Sequence, residues 1–387
     1  MTLGVVIAAG IVVSMQLPLM DQRATFTTSL GPIAPAPGSV PALAWPAGGS
    51  AALLIPSLDV TQTWNDHVVP IASLTKMMTA YVTLEALPLA SGATGPCLTV
   101  GPGDVATYEQ MNSAGESSAK VVSGETLCEF QLLDGLLVHS AGNYAVLLSI
   151  LVSGSSSTFI ARMNATAASL GMNSTHYVDE SGFSPQSVST ALDQARLAQL
   201  LMASPVVRSI VIQPTVTLPV AGTLNTFTPY VGVDHVIGVK SGRTDAAGGC
   251  DAMAMTFDQG GQTQIIYAVV LGQRGGDLLG PAGDAALALS NSALANRLDH
   301  VFVRDSAVGR IGWGVRQSEV VLARGGDVYW WASQGHLSVH FMIKHLSGDI
   351  RRGQLVGWMV VHGVRTQRFE LVARRAVSAP SIWQRLR

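Results

Sequence analysis

At 387 residues, with 48% hydrophobic and only 12% charged side chains, the chain is long enough to bury one large core and a second, smaller one, and far too apolar to be disordered. Its formal net charge of -2 argues against a nucleic-acid partner, because the bulk composition supplies no positive field. The near-balance conceals an asymmetry: residues 300–387 carry 13 Lys and Arg against 5 Asp and Glu, whereas the residues before them carry 10 against 20.

That shift marks a boundary, and the predicted elements fall around it in chain order. Residues 1–20, MTLGVVIAAGIVVSMQLPLM, hold no charge and are mostly apolar, which predicts an export signal or a membrane anchor. Residues 21–44 contain the Pro/Gly/Ser/Ala-rich run GPIAPAPGSVPALA and read as a linker. AALLIPS (51–57) reads as a strand. From Ser73 to about Leu87 the apolar side chains Leu74, Met77, Met78 and Tyr81 follow the i, i+3, i+4, i+7 rule of a helix, which Pro88 ends. Cys97 precedes the strand-like LTV and Cys128 follows GETL, so the two segments can pair and bring the sulfurs together; Cys250 reads as a small core residue. LLDGLLVHSAGNYAVLLSILV reads as one or two buried helices, and residues 158–170 and 190–203 as two more. After Pro229 come three strands, VIGVKSG, GCDAMAMTF and QTQIIYAVVLG, then a helix over 282–298. Beyond it only strand signals remain. The expectation is an α/β (α+β) body, residues 45–298, with a helical cluster inserted into an antiparallel sheet, followed by a small all-β domain, residues 299–387. No Cys/His metal spacing is present: His336, His340 and His345 straddle one strand-like stretch without a carboxylate or cysteine at ligand spacing, so neither a metal nor another cofactor is expected.

Within this frame the stretch PIASLTKMMTA sets Ser73 and Lys76 three positions apart at the head of the first helix, on neighbouring positions of one face. Alone, S-x-x-K is a weak pattern, readable as a capping serine and a solvated lysine. It recurs at Ser117 to Lys120, in a Gly/Ser-rich loop where it reads as an exposed chance match. What lifts the first copy is that the chain has four lysines in all, Lys76, Lys120, Lys240 and Lys344, and that Lys240 opens a second pattern, KSGRTDAAGG. Between them lies HSAGNYA, with Ser140 opening a turn between two apolar runs. Ser-x-x-Lys, a Ser/Asn element and Lys-Ser/Thr-Gly, in that order, form the signature of the penicillin-recognising serine enzymes.

On these motifs the sequence resembles the D-alanyl-D-alanine carboxypeptidases, the low-molecular-mass penicillin-binding proteins of peptidase family S11. The carriers are PIASLTKMMTAYVTLE, the spacings of 67 residues from Ser73 to Ser140 and 100 from Ser140 to Lys240, YVDESGFSPQSVSTALDQARLAQLL, and KSGRTDAAGGC. The resemblance runs from about Ala42 to the C-terminus, less distinctively in the β domain. It implies that Ser73 is the nucleophile, Lys76 its base, and Ser140 a proton relay to the leaving amine. It further implies that Lys240, Ser241 and Thr244 hold the substrate's terminal carboxylate, with Gly242 in the same strand, and that the backbone N–H of Arg243 is an oxyanion donor. The implied partners are a peptidoglycan stem peptide ending in D-Ala-D-Ala and β-lactam antibiotics. The implied location is the outer face of the cytoplasmic membrane or the cell wall, or the medium where the leader is cleaved. A membrane surface is a further candidate partner, through the basic domain and Trp330, Trp331, Trp358 and Trp383, although core packing explains those tryptophans better.

The residue types suit the chemistry. An alcohol is a poor nucleophile at neutral pH, and Lys76 can act as its base only when neutral, a state favoured by burial and by a second cation such as Lys240. Two rivals stand beside this reading. A class A β-lactamase needs a deacylating glutamate, and between Asn143 and Lys240 the chain offers only Glu180, within the carboxypeptidase-like DESGF. A wall-binding module without turnover is the other, kept open by Gly142: the middle motif of the family is Ser-x-Asn, whose asparagine can bridge the catalytic lysine and the substrate amide, yet here Asn143 comes one place late. Asn143 is expected to compensate by turning into the cleft.

Overall fold

The structure, a computed structural model, describes residues 23–35 and 38–381. The uncharged stretch 1–20 lies outside the described residues. Among those described, no single helix is long and apolar enough to cross a membrane. The chain divides into two compact units, Pro41–Asn296 and a second one that joins the described residues from Arg297 onward to those up to and including Val40.

The first element is a correction. Residues 21–44 are not linker throughout, because Thr25–Thr28 form strand β1, which belongs to the second unit's sheet. The β-branched and aromatic run TFTT explains it, since the Gly and Pro of this segment begin only at Gly31.

In the larger unit, β2 (Ser50–Ile55) and β3 (Val60–Trp64) form a hairpin at one side of the main sheet. A short β4 (Val69–Pro70) and a 3-10 turn, Ala72–Leu74, lead into α1 (Thr75–Ala86). Then follow β5 (Cys97–Thr99), α2 (Pro102–Ser113), β6 (Thr126–Cys128), α3 (Glu129–Leu137), α4 (Gly142–Ser153) and α5 (Ser156–Ser169). Next come β7 (Val188–Ser189), α6 (Ala191–Leu201), α7 (Pro205–Val211) and the hairpin β8 (Thr215–Leu218) and β9 (Gly222–Asn225). The chain returns to the sheet with β10 (Val236–Thr244), β11 (Gly248–Gln259) and β12 (Gln262–Gln273), and α8 (Leu279–Ala295) closes the unit.

The sheet is antiparallel in the order β10-β11-β12-β2-β3, so the helical cluster is inserted between β3 and β10. β11 is buried almost without alternation because α8 covers one face of the sheet and the helical cluster the other. Helix ends follow local chemistry: Ser155, Thr190 and Ser204 accept backbone N–H bonds as N-caps of α5, α6 and α7, and Gly154 ends α4 in the left-handed region. Cys97 and Cys128 face each other across β5 and β6 and are joined in a disulfide, while Cys250 is free and buried. Two features position the site. β10 is an edge strand, and its free edge runs along the turn that carries Ser73.

In the second unit, β13 (Arg297–Phe302), β14 (Ala307–Trp313), β15 (Arg316–Leu322), β16 (Gly326–Trp331), β17 (Ser338–Ile343), β18 (Leu355–His362) and β19 (Thr366–Ala373) build a six-stranded antiparallel sheet, β1-β14-β15-β19-β18-β17, and a separate β13-β16 pair. Trp330 and Trp331 are core, and Trp358 lies half-buried beneath the Arg368 guanidinium. Trp383 falls outside the described residues.

Candidate active site

The turn before α1 brings the Ser73 backbone to β10 at a distance only glycine tolerates. A Cβ on Gly242 would lie 2.5 Å from Ser73 N and 3.0 Å from Ser73 Cα. The second glycine of this kind is Gly182, at φ +80°, where a Cβ would stand 1.8 Å from Ala72 O. The turn is thus gripped from two sides, by the β10 edge and by the loop DESGF, and Ala72 is held at φ +47° between them.

Lys76, one turn into α1, is 1% exposed. Its Nζ lies 2.9 Å from Ser73 Oγ and donates to Ser181 O at 2.8 Å. Burial pulls its pKa down to about 8, against the opposing pull of the carboxylates of Glu116, Asp179 and Glu180. Near neutral pH a usable fraction of Lys76 is therefore uncharged and able to take the Ser73 proton. Ser140, at the corner between α3 and α4, has φ +62°, and its buried Oγ makes no hydrogen bond. Ser73, Ser140, Ser117, Phe227, Ser241, Gly242 and Arg243 line one cleft.

Lys240 is fully buried behind that cleft. Its Nζ donates to Ser241 O at 2.8 Å, and burial followed by the charge of Lys76 holds its pKa well below the usual lysine value, with Asp251 opposing. Ser241 Oγ donates to Phe227 O at 2.8 Å. Arg243 Nη1 donates to Asp277 O, and together with Thr244 it lines a groove that continues past Phe183 and Leu278. Thr244 Oγ1 accepts from Ala247 N at 3.0 Å.

One expected site residue is elsewhere. Asn143 does not turn into the cleft, because both ends of its amide are engaged by Ala119: Ala119 N donates to Oδ1 at 2.9 Å and Nδ2 donates to Ala119 O at 2.8 Å. It ties the 114–121 loop to the start of α4. That loop, read from the sequence as a chance match, is part of the site through Ser117 and Glu116, although Lys120 is exposed. The acids around Lys76 were also missed. Asp179 is fixed by N–H donors from Phe183 (2.8 Å) and Ser184 (3.2 Å) and by the Ser181 and Ser187 hydroxyls. The Glu180 carboxylate accepts from Ser156 Oγ at 2.8 Å on α5, which occupies one of its oxygens. The signal for both was DESGF itself, which folds straight onto the Ser73 turn.

A serine hydroxyl 2.9 Å from a buried lysine, beside a Lys-Ser-Gly edge strand, invites comparison with known proteins. The family model described as D-alanyl-D-alanine carboxypeptidase, peptidase S11, matches residues 60–275. The chain belongs to this family. Among curated relatives, a D-alanyl-D-alanine endopeptidase of Pseudomonas aeruginosa is 30% identical over 203 residues, 50% of this chain and 62% of the relative. A D-alanyl-D-alanine carboxypeptidase of Mycobacterium tuberculosis, DacB2, is 33% identical over 225 residues, 54% of this chain and 70% of that one. The S11 chain spans 62% and 60% of the lengths of two endopeptidases it matches. The crystal structure of penicillin binding protein 6B from Escherichia coli superposes with a TM-score of 0.63 at 20% identity, covering 88% of this chain and 100% of that one, which shows the shared fold of the S11 chain.

Proposed function

We propose that the protein is a serine-type D-alanyl-D-alanine carboxypeptidase that forms an acyl-enzyme on Ser73 and is acylated there by penicillin. The observation that carries this reading is the buried Lys76 ammonium 2.9 Å from Ser73 Oγ, with its pKa lowered to about 8. In the proposed reaction Ser73 Oγ attacks the carbonyl of the penultimate D-alanine and its proton passes to Lys76. The oxyanion is held by the backbone N–H groups of Ser73 and Arg243. Ser140, whose Oγ is unpartnered at the cleft, carries a proton to the leaving amine, and D-alanine departs. Lys240, Ser241 and Thr244 hold the terminal carboxylate until D-alanine leaves; water then attacks the acyl-enzyme, giving a proton to Lys76, which passes it to the departing Ser73 Oγ and restores both groups.

The proposed substrate is the stem peptide of peptidoglycan, with β-lactams as its mimics, which places the enzyme outside the cytoplasmic membrane. A membrane surface as partner rests on the arginines of the basic unit, since Trp330 and Trp331 are taken up by its core. Pelleting of the full chain with vesicles is expected to require anionic lipid and to weaken with salt; binding indifferent to both would remove that partner. The test of the activity is D-alanine release from a peptide ending in D-Ala-D-Ala. The enzyme should release it and Ser73→Ala should not. A parent protein that binds the peptide without releasing D-alanine would favour a wall-binding module instead.

A further inference from the structure

Gly142 stands where the resemblance places an asparagine, and its backbone does not explain the choice, because it opens α4 without a left-handed φ. The reason lies in space. A Cβ on Gly142 would come within 2.2 Å of Glu116 Oε1, 2.8 Å of Cδ and 3.3 Å of Cγ. The carboxyl group of Glu116 fills the volume from which a side chain at position 142 would start.

The loop that carries Glu116 is fastened through its backbone. Gly142 N donates to Ser117 O at 2.7 Å, Glu116 N donates to Met111 O at 3.0 Å, and Asn143 grips both backbone atoms of Ala119. Glu116 and Lys76 each shift the other's protonation, although Lys76 Nζ is hydrogen-bonded to Ser73 Oγ and Ser181 O and not to Glu116. Its Oε1 is buried and has no hydrogen-bond partner. Of the other charged groups facing Lys76, Asp179 is engaged by Ser181, Ser187 and two backbone amides, and Glu180 by Ser156; Lys240 approaches from β10.

We propose that Glu116 replaces the missing motif asparagine: delivered from the 114–121 loop into the space left by Gly142, its carboxyl acts on Lys76 through its charge, while Ser73 Oγ and Ser181 O hold the lysine in place. The inference rests on the acyl-enzyme reading above. An ionised carboxylate only accepts hydrogen bonds, so Glu116 takes over the lysine-facing half of the asparagine's task and not the donation to a substrate carbonyl. It also puts a negative charge where the family pattern has a neutral amide. Lys76 thereby holds its proton to higher pH, and acylation calls for more alkaline conditions than an amide at this place would.

The experiment measures the rate of acylation by a fluorescent penicillin against pH. In Glu116→Gln, which keeps shape and removes charge, the acid limb should move to lower pH by about one unit, the smaller end of what a neighbouring opposite charge does. A merely space-filling Glu116 would leave the limb in place. Gly142→Asn should slow acylation roughly 10- to 100-fold through the collision with Glu116, and adding Glu116→Gly should recover most of that loss. A Glu116→Gln profile that superimposes on the parent's, or a double variant as slow as Gly142→Asn, overturns the proposal. Failure of the parent itself to be acylated overturns the acyl-enzyme reading instead, so the two failures are distinguishable.

Discussion

Lys76 is the residue on which both burial and charge converge. Desolvation lowers its proton affinity, and three carboxylates, those of Glu116, Asp179 and Glu180, work the other way. Because only the neutral amine accepts the Ser73 proton, acylation should rise about tenfold per pH unit below pH 8 and level off above it. Acylation rates measured between pH 5.5 and 9.5 check this, and a flat profile would count against Lys76 as the base. Asp251 poses a different residue-scale problem. It is fully buried on β11, neither carboxylate oxygen has a hydrogen-bond partner, and burial raises its pKa well above the usual value. An acid that is more readily protonated in the fold than in the unfolded chain destabilises as pH rises past its unfolded value. Asp251→Leu should therefore raise stability at pH 7 by about 1–3 kcal/mol, the cost of an unsatisfied buried polar group. A lower melting temperature for that variant would show that Asp251 is needed by Lys240.

At the scale of elements, the contact between the β10 edge and the Ser73 turn should govern acylation. Gly242→Ala would press a Cβ to 2.5 Å from Ser73 N and push strand and turn apart, so acylation should fall by roughly 10² while the melting temperature changes little. Thermal denaturation beside the acylation assay separates that outcome from unfolding. The elements were unevenly legible in the sequence, for physical reasons. α1 and β10 to β12 were readable because a buried face imposes an apolar period. α2 was not: GPGDVATYEQMNS has no buried residue and hence no apolar stripe. The helix placed over 282–298 starts at Leu279 and ends at Ala295, and Arg297 already opens β13, whose RLDHVF alternates as a strand. Ser73, Lys76, Ser140 and Lys240 stood out because the family that the sequence resembles carries its three motifs in a fixed order. Glu116 did not, since its place is set by the absence of a side chain 26 positions later and by backbone bonds that fold the loop onto α4. For the same reason the compensation expected of Asn143 falls to another residue.

For the whole molecule, the acids outside the site set how stability follows pH. Glu129 and Asp134 on α3 are buried, with pKa values raised by desolvation to about 7 and about 6; Asp134 is partly offset by its bond from Gln213, and Glu129 has no partner on either oxygen. In the folded state both hold protons that the unfolded chain has already lost. Stability should accordingly decline as pH rises from about 4.5 to 7.5, and melting temperatures across that range check the sign. Despite Gly142, this S11 fold should still work as an acyl-transfer enzyme. The most direct measurement is the intact mass of the protein after benzylpenicillin, followed by peptide mapping of the adduct. One penicillin should be added on the peptide containing Ser73, absent from Ser73→Ala and retained in Ser117→Ala; no adduct, or one carried by Ser117, would contradict acylation at Ser73.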